Sequence, residues 1–253
     1  MEPKALQDGT GNTGAGGQRW RAEEVARLVL GLIACMVLLG AGIEAGFRGM
    51  TARDESAARF WKLFAGLAGF QVPGLIMIHV FLRRHGVGWR DGMGFRLGRR
   101  AVLWGVALAA ASVLVTYPLE AGIMELIQRM GGDPKPQASV EFLRLARPWQ
   151  QAVLGILAVG SAAVFEEAFF RGVLYKVFRD AGHRRWSWLG TSLLFGLAHG
   201  HGPTLVPLTL LGGALAWTYE RTRSLMACSI AHAGFNLVGW VVAISGWDHG
   251  LGR

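Results

Sequence analysis

Glu166, Glu167, His199 and His232, with Asn236 one turn past the last, stand in stretches that are otherwise apolar: LGILAVGSAAVFEEAFFRG, WLGTSLLFGLAHG and LMACSIAHAGFNLVGWVVAI. A carboxylate beside an imidazole takes a proton from water, and imidazole and amide N–H groups hold a developing oxyanion. An ionisable group at membrane depth costs roughly 2.5 kcal/mol upward for a carboxylate. Several such groups in spaced pairs imply use, so the leading reading is a hydrolytic site inside a membrane.

The elements that must position these residues are helices. Apolar runs recur near Val25–Ala45, Phe60–Leu82, Ala101–Leu119, Gln151–Phe170, Trp186–His199, Pro203–Tyr219 and Ser224–Trp247. They predict an all-α polytopic transmembrane bundle of about seven spans (six to eight), each span needing about 20 apolar residues. The fifth and sixth are short, with Gly200-His201-Gly202-Pro203 between them, and form one bent hairpin or two short spans. LEAGIMELIQRM, after the third run, reads as an amphipathic helix in the interface, and GGDPKPQ as a loop. Arginines crowd the 83–100 and 176–185 loops, which places both in the cytoplasm. Arg48, Arg53 and Arg59 in the 46–59 loop argue mildly the other way.

Helical rise then sets depth. Glu166 precedes Arg179 by thirteen residues and His199 follows Trp186 by thirteen, so both lie about 20 Å from the turn between those spans. His232 is nine residues past Arg223, about 13 Å deep, and a tilt or a broken helix would bring the three together. Asn236 shares a helix face with His232. Glu166 and Glu167 point about 100° apart, so both cannot face one site equally. Arg171, at i+4, pairs with Glu167 and leaves Glu166 free. A water bridging Glu166 and His199 would hold them within roughly 6 Å. Gly196 and Gly200 permit close helix approach.

Composition narrows the class. The chain has 253 residues, 52% of them hydrophobic and only 17% charged, where soluble domains carry about a quarter charged residues. The net charge of +9 lies in short loops between apolar runs, as in a membrane protein and unlike a nucleic-acid binder. Of 26 basic residues only Lys4, Lys62, Lys135 and Lys176 are lysine, and Gly and Ala abound. That composition suggests a bacterial source and a bacterial cytoplasmic membrane. Cys35 and Cys228 read as small core residues, and Gln71 and His79 as interhelical hydrogen bonds. The chain divides into a polar tail (1–24), N-terminal helices with an interfacial segment (25–150), a core bearing the polar residues (151–247) and a short tail (248–253).

Glu166-Glu167-Ala-Phe-Phe-Arg171, Phe195-Gly-Leu-Ala-His199 and His232-Ala-Gly-Phe-Asn236 match EExxxR, FxxxH and HxxxN. In that order and in apolar context they resemble the CPBP family of intramembrane endopeptidases, also called the Abi or CAAX protease family, related to the Ras-converting CAAX endopeptidase. The resemblance implies a helical membrane protein whose cavity opens to the cytosol and whose substrate is a membrane-associated protein or peptide. It implies that Glu166 and His199 activate water, that His232 and Asn236 stabilise the oxyanion, and that Glu167, Arg171 and Phe195 support them. The family has also been described as metalloproteases. Zinc on Glu166, His199 and His232 is the alternative to a metal-free glutamate mechanism, which the absence of HExxH and of a cysteine ligand favours. The competing class is a non-enzymatic transporter or membrane adaptor; a transporter would tend to show inverted repeats, and none is visible.

Overall fold

The computed structural model describes residues 20–48 and 55–245. Most of the expected polar N-terminal tail, the middle of the 46–59 loop, Trp247 and the expected C-terminal tail lie outside the described residues. Among the described residues every regular element is helical: α1 (Ala22–Gly46), α2 (Glu55–Arg84), α3 (Trp89–Met93), α4 (Arg99–Arg129), α5 (Ala138–Leu145), α6 (Pro148–Asp180), α7 (Arg184–Ala198), α8 (Gly202–Thr222) and α9 (Leu225–Ser245). The all-α polytopic bundle expected from the apolar runs is what forms.

Five of these helices, α1, α2, α4, α6 and α9, are long and apolar enough to cross a membrane, and the protein is an integral membrane protein. The two short runs expected as the fifth and sixth spans become separate helices, α7 and α8, joined by a turn at 199–201. Neither is among the five. At 15 residues α7 rises about 22 Å, short of the roughly 30 Å hydrocarbon core. Their polarity fits burial in protein: Thr191, Ser192, Thr204 and Thr218 are buried, and the Thr191 and Ser192 hydroxyls donate to the carbonyls of Ser187 and Trp188 one turn back.

The segment LEAGIMELIQRM departs from expectation. It is helical, as expected, but is not a separate helix: it continues α4 through Pro118 to Arg129. Its apolar positions extend the stripe of the preceding run closely enough to keep one axis. A short helix not foreseen, α5, follows the 131–137 loop; its start is marked by Ser139 and Glu141 in an otherwise mixed segment.

α6 is the centre of the bundle and touches α2, α3, α7, α8 and α9. Its most apolar window is 44% buried, against 11% for α1. α9 runs along α4, α8 packs on both α7 and α4, and α1 lies against α2. Phe165, Phe170 and Val173 of α6, Phe195 of α7, Leu211 and Leu215 of α8 and Cys228 of α9 share one core with Ile78 and Leu82 of α2. A second, smaller core joins Phe60, Leu143, Leu154 and Ala243 at the other end.

That arrangement gathers the basic loops. Lys176 Nζ donates to the Gly92 carbonyl and Tyr219 Oη to the Met93 carbonyl. The 83–100 loop, the α6–α7 turn and the α8–α9 turn therefore share one end. The 46–59 loop, whose arginines argued against the orientation, leads into the helix start at the smaller core. Gln71 and His79 make interhelical bonds, with Ser161 and Trp89 respectively.

The expected glycine pair is half right. A Cβ at Gly196 would come within 2.8 Å of the Leu205 carbonyl oxygen on α8, so a side chain there would force the hairpin apart. Gly200 faces open space and instead holds φ +61° in the turn, a conformation that favours glycine. Gly196→Val should therefore destabilise the fold by about 1–3 kcal/mol through overpacking. Thermal unfolding in detergent measures this, and an unchanged midpoint would show that α7 and α8 are not in close contact.

Candidate active site

α6 begins firmly. Arg147 precedes it, Pro148 opens it, and the Gln150 side chain accepts a hydrogen bond from the Arg147 amide at 2.9 Å. It then departs twice from α geometry. Ile156–Ser161 and Ala168–Tyr175 are π-helical, and the α-helical turn Ala162–Glu167 between them carries both glutamates. π segments occur often at functional sites because the widened ladder re-aims side chains and frees carbonyls. Here the Ala158 carbonyl accepts from Asn236 Nδ2 at 2.9 Å, and Ser161 Oγ bonds Gln71 Oε1 on α2.

Three of the expected site residues meet directly. Glu166 Oε2 stands 3.9 Å from His199 Nε2 and 3.9 Å from His232 Nε2. That oxygen makes no hydrogen bond within the chain. The gaps exceed a direct hydrogen bond, and one oxygen atom at ordinary hydrogen-bond length from both ends fits across each. Glu166 and His199 keep about a quarter of their side-chain surface exposed, whereas His232 is 2% exposed.

Both imidazoles are held by their other nitrogen. His199 caps α7, and its Nδ1 lies 2.8 Å from the Phe195 carbonyl. A carbonyl only accepts, so Nδ1 carries the proton and Nε2 is left facing Glu166. His232 Nδ1 lies 2.9 Å from Glu167 Oε1. The same Oε1 accepts from Arg171 at 2.7 Å, so Glu167 is an ionised acceptor and His232 Nδ1 the donor.

This revises the expectation that the two glutamates divide, one for the site and one for Arg171. Their side chains do diverge, but His232 presents one nitrogen to each. Glu167 holds Nδ1 while Glu166 faces Nε2. The i,i+4 spacing to Arg171 accounts for only one of its partners, and the other comes from α9, which local spacing does not reveal.

Arg171 and Glu167 are both fully buried. The guanidinium also donates to the Gly212 carbonyl of α8 at 2.9 Å and lies 4.7 Å over the Phe195 ring. Phe195 in turn packs edge-on against His232, with ring centroids 5.4 Å apart, and tilted against His199 at 5.0 Å. The phenyl ring thus packs against the guanidinium and both imidazoles and limits the rotamers of all three. Asn236 lies one turn beyond His232, anchored to Ala158 rather than to the Glu166 cluster. His201 is not free in its turn, since its ring bonds Thr204 Oγ1 and the Lys135 carbonyl.

Glu166, His199 and His232 have the donor types of a zinc site, and anchored Nδ1 atoms are usual for metal-bound histidines. Among the described residues, no three His, Cys, Asp or Glu side chains are gathered closely enough to hold a metal ion.

Residues 148–238 match the family model described as type II CAAX prenyl endopeptidase Rce1-like. The match runs from the start of α6 into α9 and spans all three motifs, so the CAAX-protease-like resemblance read from them is borne out over that segment. Residues 148–238 are thus similar to a membrane-protease domain. No curated protein and no solved structure matches the chain.

The buried pair makes a clear prediction. Glu167→Gln leaves a buried guanidinium without its counter-charge and should cost about 3–5 kcal/mol of stability. Combining it with Arg171→Met removes both charges, while the new amide oxygen still offers His232 an acceptor, and should recover part of the loss. Unfolding midpoints of the two single variants and the double variant measure the coupling. Strictly additive losses would mean that the ion pair is not a unit.

Proposed function

We propose that the protein is an intramembrane endopeptidase that hydrolyses a peptide bond of a membrane-associated or lipidated protein or peptide, with Glu166 as general base. The observation that carries the reading is the meeting of Glu166 Oε2 with the Nε2 atoms of His199 and His232, each at 3.9 Å, within a domain of protease type. Water held between Glu166 and His199 loses a proton to this pair as its oxygen attacks the scissile carbonyl. The carbonyl electrons move to its oxygen, giving a tetrahedral oxyanion. Collapse breaks the C–N bond, and the proton passes to the leaving amine.

Charge balance supports a division of labour. Glu166, Glu167 and Arg171 together leave one negative charge in apolar surroundings. A second proton on His232, which sits between the two carboxylates, neutralises it. His232 then offers an Nε2–H to the oxyanion, while the Nε2 lone pair of neutral His199 assists Glu166. Asn236 has a second N–H beyond the one given to Ala158, and adds it to the same oxyanion. The bacterial cytoplasmic membrane is the location we propose, on composition. The prenylated CAAX substrate is not carried over, because a bacterial membrane lacks that substrate class.

Glu166→Gln should lower peptide hydrolysis by about 10²–10⁴-fold, the usual worth of a general base, while leaving the unfolding midpoint near that of the parent. Membrane proteomics of cells carrying the parent or Glu166→Gln should reveal uncleaved membrane proteins accumulating in the variant. Identical proteomes would favour a non-enzymatic adaptor or transporter.

The anchored Nδ1 atoms of His199 and His232 favour a zinc-dependent version as second reading. Glu166, His199 and His232 would hold the zinc, which would supply Lewis acidity to the attacking water and the scissile carbonyl. Under the metal-free mechanism the purified active protein keeps its rate through chelator titration and carries no stoichiometric metal. Zinc at one per chain, with activity lost on chelation and restored by zinc, would reassign the two histidines as ligands.

A further inference from the structure

At the basic end of the bundle, away from the Glu166 cluster, Tyr175, Arg184, Trp188, Trp217 and Glu220 line a cavity of about 170 Å³. We propose that this cavity is a binding site for the phosphate headgroup of an anionic phospholipid, with an acyl chain lying along the tryptophan wall. The proposal does not rest on the protease reading.

Charge is the first argument. Glu220 Oε1 is shared by Arg184 and Arg223, each at 3.3 Å, and its Oε2 accepts from Tyr175 Oη at 2.6 Å. Arg221 extends over the Trp217 ring, 5.6 Å from its centroid. Two guanidiniums thus flank one carboxylate whose oxygens are both taken, a third lies over the neighbouring Trp217, and this corner is left with surplus positive charge. Arg184 and Arg223 are 75% and 53% exposed. Their forks are steadied by Glu220 yet open to a ligand, which suits two-point recognition of phosphate.

Shape and setting are the second argument. The volume falls below the roughly 300–1,000 Å³ of ordinary small-molecule pockets, so it suits a phosphodiester better than a cofactor. The walls are amphipathic. Trp188 spends its indole N–H on the Gly213 carbonyl, and Trp217 packs edge-on against Trp104, so both present fixed apolar faces. Trp186, 69% exposed, stands on the same turn. Tryptophans at the level of an arginine-rich turn mark a membrane–water interface. Basic pockets between helices on the cytoplasmic side bind anionic headgroups, and that leaflet carries the anionic lipid.

The test is native mass spectrometry of the full chain released from bilayers of equal phosphatidylglycerol and phosphatidylcholine. The parent should retain one phosphatidylglycerol in preference to phosphatidylcholine. Arg184→Gln combined with Arg223→Gln should lower that preference about fivefold for each arginine. Trp217→Ala should weaken retention of lipid without altering the headgroup preference. Arg83→Gln, in a different basic loop, should change nothing. Glycerol phosphate added in solution should fail to displace the lipid. An unchanged preference in the double variant, an equal loss in Arg83→Gln, or displacement by glycerol phosphate as effective as by its lipid would overturn the proposal; the last would reassign the cavity to free phosphate. Should the double variant fail to fold, Arg184→Gln alone, at an exposed side chain, decides by the same criteria.

Discussion

The fully buried Glu167–Arg171 pair is the constraint on which the rest of the site depends. An unpaired charge at this position would cost several kcal/mol, so the surroundings must supply partners to it. They do so with one group from each neighbouring helix. α9 supplies His232 to Glu167, α8 supplies the Gly212 carbonyl to Arg171, and α7 supplies the Phe195 ring beneath the guanidinium. The ion pair therefore ties four helices at one level. That level is where Glu166 emerges, one residue earlier on α6. A charge that is expensive to bury becomes the means of fixing where α7, α8 and α9 sit relative to α6.

The two π-helical stretches explain how one helix serves so many partners. Both stretches offer backbone carbonyls to other helices: in Ile156–Ser161 the Ala158 carbonyl accepts from Asn236, and in Ala168–Tyr175 the Gly172 carbonyl accepts from Trp20 at 3.1 Å. α6 is thus gripped through its backbone on both sides of the glutamates. In an apolar medium these bonds are not contested by water, so they hold the intervening turn more rigidly than packing alone.

Much of this was legible from residue types and spacing. Polar groups are conspicuous in apolar runs, a fixed helical rise converts residue counts into depth, and those two facts bring Glu166 and His199 to one level, with His232 joining them only through a tilt or a broken helix. The Glu167–Arg171 pair is local, and i,i+4 spacing finds it. What escaped is what no local period encodes. The second partner of Glu167 lies 65 residues away on α9. The acceptor for Asn236 is a backbone carbonyl in a π-helical stretch, and backbone carbonyls look alike in sequence. LEAGIMELIQRM has a mixed composition that suits an interface as well as the far end of a long helix, and only the packing of α4 along α9 and α8 decides. The hydroxyl-bearing α7 and α8 read as weak spans because each turns a polar face to protein and leaves an apolar face exposed, and a hydropathy average merges the two.

Asn236 shows how an anchored side chain would serve the proposed oxyanion role. An amide has two N–H groups, and committing one to the Ala158 carbonyl fixes the plane and direction of the other. An oxyanion donor is effective to the extent that it need not reorient when charge develops. The same logic holds at His232, where Glu167 fixes Nδ1 and thereby aims Nε2 at Glu166, and at His199, where the Phe195 carbonyl does so. In each histidine the far nitrogen is spent on structure so that the near one is aimed. Glu166 has no such tether on its Oε2, which is what the proton exchange proposed for it would require.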